Sequence, residues 1–203
     1  MRSRLIAVTG GIACGKSTLA GILSEQGCDI LDTDDVSHSL QASGGGAAGK
    51  IAARFGDGAI AADGSVNRRK LGELVFANPK ALRDLESIMH PLIEGAVRDW
   101  ISSRESGRTL VVLVPLLFEA GLDHKFAWDA TVAVVSSRET QISRLAQRGF
   151  DRAAAEARID SQMPCAEKSR RATFTIVNDG SLAMLKSETA RLLDKISLLP
   201  QGV

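Results

Sequence analysis

No apolar run in this 203-residue sequence approaches the length of a membrane span, and nothing in it repeats. Its charge is nearly balanced: 25 Lys and Arg stand against 24 Asp and Glu, a formal net charge of +1. No overall field would therefore recruit nucleic acid or an anionic membrane. Cysteine is scarce. Cys14, Cys28 and Cys165 are odd in number and lack any C-x-x-C or metal-ligand spacing, which excludes a structural zinc site. The guanine-specific pattern N-K-x-D is missing as well. Only Leu5-Ile6-Ala7-Val8 is apolar before Thr9-Gly10, too little for a secretory signal, so a cytoplasmic protein is expected. With 44% hydrophobic and 24% charged residues, the composition is that of a globular protein able to bury a real core.

What the sequence does have is concentrated near its start. Gly10-Gly11-Ile12-Ala13-Cys14-Gly15-Lys16-Ser17 reads G-x-x-x-x-G-K-S, with Thr18 next. Leu5–Val8 suits a buried strand before it and Ser17–Gln26 a helix after it, which is the setting a phosphate-binding loop requires. Glycines let backbone N–H groups converge on an anion, and the helix N-terminus adds unpaired donors and a favourable dipole. Lys16 supplies a mobile positive charge for the outer phosphates, and the Ser17 hydroxyl is placed to ligate Mg²⁺. The bland alternative is an ordinary tight turn before a helix. Cys14 lies beside Lys16 and a helix N-terminus, both of which favour a thiolate, so alkylation there is expected to inactivate the protein unless nucleotide protects it; the plainer alternative to a redox role is that Cys14 merely fills a small-residue position.

Further strands read as Cys28–Leu31, Leu110–Val114 (ending at Pro115), Ala130–Val135 and Thr173–Val177. Their near-continuous Val, Leu and Ile content indicates parallel strands covered on both faces. Helical patterns lie between them at Arg69–Ala77, Ala81–Arg104, Glu139–Arg148, Ala153–Gln162 and Leu182–Leu193. This alternation predicts an α/β sandwich with a parallel sheet. Ala42–Gly49 (ASGGGAAG) reads as a flexible connector, 50–108 as a helical insertion, and 148–171 as a helical lid.

Ligands of open parallel sheets bind beyond the carboxyl ends of the strands, which is where Asp32-Thr33-Asp34-Asp35 should fall. Asp34 or Asp32 could act as base toward an attacking hydroxyl or hold Mg²⁺ through water; equally, these acids could cap the next helix. A second cluster contains Arg138, Arg144, Arg148, Arg152, Arg158, Lys168, Arg170 and Arg171. Arg144 and Arg148 share one helix face. The cluster suits closure over a nucleotide, or, because acids are interleaved, a solvated surface. His90-Pro91 follows the helical stretch Ala81–Met89 and is balanced between a structural histidine, hydrogen-bonded at a helix end, and a site residue whose direction Pro91 fixes.

Taken together, the blocks Thr9-Gly10-Gly11-Ile12, Asp32-Thr33-Asp34, Phe55-Gly56, Asp63-Gly64, Arg68, His90-Pro91, Pro115-Leu116-Leu117-Phe118-Glu119, Gln141, Arg144-Leu145, Arg148, Arg158, Gln162, Asn178 and Gly180 resemble the dephospho-CoA kinase family across about residues 5–180. The resemblance implies transfer of the ATP γ-phosphoryl group, with Mg²⁺, to the ribose 3′-hydroxyl of dephospho-CoA. It implies small-molecule substrates only, with no nucleic-acid or membrane partner, in a monomer or weak homo-oligomer. The implied fold is a three-layer P-loop core with a five-stranded parallel sheet (1–49, 109–147, 172–203), a CoA-binding insertion (50–108) and a lid (148–171). Carried onto this sequence, Gly11, Ile12, Ala13, Cys14, Gly15, Lys16, Ser17 and Thr18 form the nucleotide loop, with Ser17 toward the metal. Lys16 looks like the phosphate clamp, Arg144 like the lid arginine on ATP, and Asn178 like the residue near the adenine. Asp34 looks like the general base, and Arg68, His90 and Pro115 resemble acceptor-side contacts. Ala13, Cys14, Thr33 and Thr173 depart from the commonest pattern. Another small-molecule kinase and a nucleotide-dependent switch are the alternatives.

Overall fold

The structure, a computed structural model, describes residues 2–76 and 78–200; the expected helix end at Ala77 and the expected core boundaries at 1 and 203 lie outside the described residues. The chain divides into two compact units, 1–31 with 104–203, and 32–103.

In the first unit β1 (Arg4–Gly10) is central in a five-stranded sheet of order β2-β3-β1-β4-β5. The other strands are β2 (Asp29–Asp32), β3 (Thr109–Leu113), β4 (Ala130–Val135) and β5 (Phe174–Val177). β1 pairs in parallel with β3 from Arg4↔Thr109 and with β4 from Ile6↔Ala130, and the sheet is the parallel one its apolar strands call for. β3, although third in the chain, lies between β1 and β2. The order therefore reverses at β1, and the carboxyl end of β1 is a topological switch point, where such sheets bind their ligands. α1 (Lys16–Glu25) and α9 (Leu182–Ser197) bury Leu19, Leu23, Leu185, Leu192 and Ile196 in one cluster with Ile6, Val8, Val111, Val132 and Val134. α6 (Arg138–Ala146) packs on α7 (Arg152–Asp160), and α8 (Cys165–Arg171) on β1 and β4. Thr173, the departure whose role the sequence does not show, joins the start of β5 to β4. Its N–H donates to Thr131 Oγ1 at 2.9 Å, and its own Oγ1 accepts from Thr131 N at 3.1 Å.

The second unit is helical: α2 (Thr33–Gln41), α3 (Ala48–Phe55), α4 (Arg68–Phe76) and α5 (Pro79–Ser102). Its core is Ala47, Ile51, Ala59, Val66, Leu71, Val75, Ala81 and Met89. The expected connector 42–49 is more ordered than its composition suggests. Ala47 is fully buried, its N–H donates to Leu40 O at 3.0 Å, and α3 already begins at Ala48. α5 also runs without interruption through Pro91, so His90 stands inside a helix rather than at a helix end. Pro91 gives Ser87 no N–H donor, and the apolar face around Met89 carries the helix across that gap. Among the described residues no helix is long and apolar enough to cross a membrane.

Candidate active site

The loop at the carboxyl end of β1 is held from below. Gln141 Nε2 donates to Ile12 O at 2.7 Å, Arg144 Nη1 to Ala13 O at 3.1 Å, and Asn178 Nδ2 to Cys14 O at 2.9 Å. Three successive carbonyls thus point at fixed donors. Every described peptide is trans, so the N–H following each carbonyl faces the other way. The N–H groups of Ala13 and Gly15 are thereby presented on the opposite side of the loop. This orientation costs strain. Ala13 has φ 59, and it is the one non-glycine with positive φ among the described residues. A residue with a Cβ held in the left-handed region costs about 1–3 kcal/mol and persists where its surroundings fix it. Here Ile142, Leu145 and Ala155 pack around it.

Arg144 ties this floor together. Nη1 also donates to Ser136 Oγ at 3.1 Å and Nη2 to Asn178 O at 2.8 Å, while Ser136 Oγ donates to the same Asn178 O at 2.8 Å. Ile12 N donates to Gln162 Oε1 at 2.9 Å, joining the loop to the segment between α7 and α8. Arg144 and Asn178, singled out by resemblance, are thus brought together under the loop. Gln141, Gln162 and Asn178 carry loop contacts that residue type alone does not disclose, because amides occur throughout any sequence.

Lys16 is half-buried at the start of α1, and its Nζ donates to Gly10 O at 2.8 Å and Gly11 O at 3.2 Å. No side chain caps α1 and no acid occupies its first turn, so no carboxylate of that turn competes for its N-terminal donors. Ser17 and Thr18 follow, both exposed. Gly15 has φ 95, and a Cβ there would come within 2.2 Å of Asn178 Nδ2. Gly15→Ala is therefore expected to cost about 3 kcal/mol in urea unfolding and to abolish nucleotide binding measured by calorimetry.

Pro115 reaches the loop's strand through Thr9, whose Oγ1 donates to Pro115 O at 3.1 Å. The same carbonyl accepts from Lys168 Nζ at 2.9 Å, and Lys168 also donates to Glu119 Oε1 at 2.6 Å. Lys168 is fully buried. Glu119 Oε1 further accepts from Met163 N at 3.2 Å, so the Pro115–Glu119 segment is a clasp for the base of α8. Removing either partner has unequal consequences. Glu119→Ala strands a buried ammonium and is expected to cost about 3–5 kcal/mol. Lys168→Met leaves a partly exposed carboxylate and is expected to cost about 2 kcal/mol, an order that chemical denaturation checks.

The expectation of a Cys14 thiolate is corrected. Cys14 is fully buried, and its Sγ lies 3.6 Å from Cys165 Sγ. The hydrogen bond with Cys165, then burial, push the Cys14 thiol far above the ordinary thiol range, and Lys16 opposes this only weakly. The same hydrogen bond brings Cys165 down to about 6, against desolvation, with help from the backbone at Ser136 and Gly11 and from Lys168. The thiolate of this pair is therefore Cys165. The sequence did not signal this, because 151 positions separate the two residues.

In the second unit Asp32 performs the capping, its carboxylate accepting from Asp34 N at 2.9 Å. Asp34 is exposed in the first turn of α2, Arg68 is exposed at the start of α4, and half-buried His90 lies within α5.

The family model described as dephospho-CoA kinase matches residues 4–184. The dephospho-CoA kinase of Symbiobacterium thermophilum is 42% identical over 188 residues, 91% of this chain and 78% of that one. Among solved structures, TT1252 from Thermus thermophilus superposes with a TM-score of 0.82 at 31% identity, covering 98% of this chain and 100% of that chain. Dephospho-CoA kinase from Campylobacter jejuni gives 0.63 at 26% identity, covering 96% and 97%. With a family match spanning most of its length and a loop built to present backbone donors beside Lys16, the chain belongs to the dephospho-CoA kinase family.

Proposed function

We propose that this protein transfers the γ-phosphoryl group of ATP to the ribose 3′-hydroxyl of dephospho-CoA, giving CoA and ADP. The observation that carries the reading is the phosphate loop: its carbonyls are tied down by Gln141, Arg144 and Asn178, and Lys16 stands at its mouth. Family membership supplies the acceptor. The loop N–H groups bind the phosphates, and Lys16 exchanges its two carbonyl partners for them, neutralising charge that develops on the transferring group. Asp34 accepts the proton of the attacking hydroxyl, in keeping with a carboxylate that leaves the helix cap to Asp32. Arg68, His90 and Pro115 belong to the acceptor side of this reading, the helical segment 50–108 to CoA binding, and 148–171 to a lid that shields the donor from water.

Mg²⁺ fits these residues. No group of three or more His, Cys, Asp or Glu among the described residues forms a cage, and this ion is commonly held by one or two side chains plus substrate phosphates. Ser17 would be its protein ligand, and the ion would neutralise phosphate charge when bound. The test is to incubate the protein with ATP and Mg²⁺ and follow ADP release with different acceptors. Acceleration by dephospho-CoA and not by nucleoside monophosphates is expected. The reverse preference would make it another small-molecule kinase, and rapid acceptor-independent release would make it a switch or ATPase.

A further inference from the structure

Beneath the phosphate loop two thiols from distant parts of the chain meet. Cys14 lies inside the loop, between Ala13 with φ 59 and Gly15 with φ 95, and Cys165 is the first residue of α8. Their sulfurs are 3.6 Å apart. Both pack against Gly11, where an added Cβ would fall 2.8 Å from Cys165 Sγ and 3.1 Å from Cys14 Sγ. Cys14 is sealed from solvent, whereas half-buried Cys165 lines a cavity of about 320 Å³ with Ser136, Gln141, Asp160 and Gln162. One thiol is therefore reachable and the other sits within the phosphate loop itself.

We propose that Cys14 and Cys165 are a modification site for hydroperoxides, oxidised to an intramolecular disulfide that pulls the phosphate loop out of its binding conformation. Phosphoryl transfer uses the backbone of Cys14 and neither sulfur, so this chemistry lies outside the proposed activity. In the first step the Cys165 sulfur attacks one oxygen of hydrogen peroxide. The O–O bond breaks, the departing hydroxide takes a proton to become water, and Cys165 is left as a sulfenic acid. The Cys14 sulfur then attacks the Cys165 sulfur and loses its proton. The S–O bond breaks, and the departing hydroxide takes that proton as a second water. Two thiols are oxidised and one peroxide is reduced to two waters.

The low titration range of Cys165 suits it to the first step, and once Cys165 is oxidised its thiolate no longer holds the Cys14 proton, which removes the hydrogen bond that most opposes deprotonation of Cys14 for the second. A disulfide holds its sulfurs about 2.05 Å apart, so the pair must close by roughly 1.5 Å. α8 is fastened by buried Lys168 to Pro115 O and Glu119. The loop around Cys14, strained at Ala13, is the part that yields, giving up the Asn178 hydrogen bond to Cys14 O and carrying the N–H groups of Ala13 and Gly15 with it.

The experiment treats the full chain with a small excess of hydrogen peroxide and reads intact mass, free thiols, the disulfide-linked peptide and ATP affinity. The expected product is two hydrogens lighter, with free thiols falling from three to one and Cys28 untouched. The linked peptides contain Cys14 and Cys165, ATP affinity falls at least about tenfold, and dithiothreitol restores it. Turnover, which alone rests on the proposed activity, is expected to fall about a hundredfold, the sensitivity of catalysis to ångström misplacement. Cys165→Ser should bind ATP as the parent does and keep that affinity in peroxide; Cys165→Ala serves if the serine variant fails to fold, and the parent's mass and thiol count need no variant. Three thiols surviving treatment, a disulfide involving Cys28, or an oxidised protein with unchanged ATP affinity overturns the proposal. A protein that forms the reversible disulfide and loses ATP affinity, yet never accelerates with dephospho-CoA, upholds this inference and overturns the proposed activity instead.

Discussion

Lys16→Ala is expected to lower kcat by about a thousandfold while leaving the fold intact. The ammonium donates to Gly10 O and Gly11 O, and both glycines are buried. The fold should survive, although these buried acceptors lose a partner, at an expected cost of about 1–3 kcal/mol. Catalysis loses a flexible positive charge able to follow the phosphoryl group as it moves between oxygens. Lys16→Arg is expected to be nearly as damaging. A planar five-donor fork does not replace a compact ammonium in a space bounded by backbone. Steady-state kinetics with circular dichroism of the same samples checks both variants. A folded Lys16→Ala protein with near-normal kcat removes Lys16 from the mechanism.

For Asp34→Asn the expected loss is about 10²–10⁴-fold in kcat, with KM for ATP almost unchanged. The two acids of this segment are separable on structural grounds. Asp32 accepts the N–H of Asp34 and starts α2, whereas the Asp34 carboxylate belongs to the first helical turn. An amide at position 34 keeps shape and length and costs the helix only about 0.3–1 kcal/mol of dipole interaction. Asp32→Asn should retain the cap, since asparagine caps as well as aspartate. Rapid-quench measurement of the chemical step distinguishes them. A large loss in Asp34→Asn and a small one in Asp32→Asn is the expected pattern, and the opposite pattern reassigns the base.

Local signals made much of this protein readable from its residues. The apolar run Ala130–Val135 is the observed β4 residue for residue, and the loop motif lies between a strand and a helix as its pattern demands. Buried parallel strands are nearly pure Val, Leu and Ile, and few other elements look like that. Readings failed where long-range packing overrides local preference. ASGGGAAG reads as a linker, yet Ala47 is a core residue because Ile51 and Leu40 close around it. His90-Pro91 reads as a helix end, yet α5 continues through it. Site residues divide in the same way. Lys16 is announced by its neighbours in sequence, whereas Gln141, Gln162, Lys168 and Cys165 acquire their roles from partners more than a hundred positions away in three cases and 49 in the fourth.

The central place of β1 has a consequence for how the molecule comes into being on the ribosome. β1 is synthesised well before the strands it pairs with: Arg4 pairs with Thr109 of β3 and Ile6 with Ala130 of β4. The last prop of the phosphate loop, Asn178, is made later still. A nascent chain must therefore carry an unpaired, strongly apolar ribbon until β3 and β4 have emerged, the circumstance that invites aggregation. Nucleotide cannot rescue it early, because no loop able to grip an anion exists until the far edge of the sheet has emerged. Maturation of this protein should be slow and late, governed by sequence-distant pairing rather than by its abundant helices.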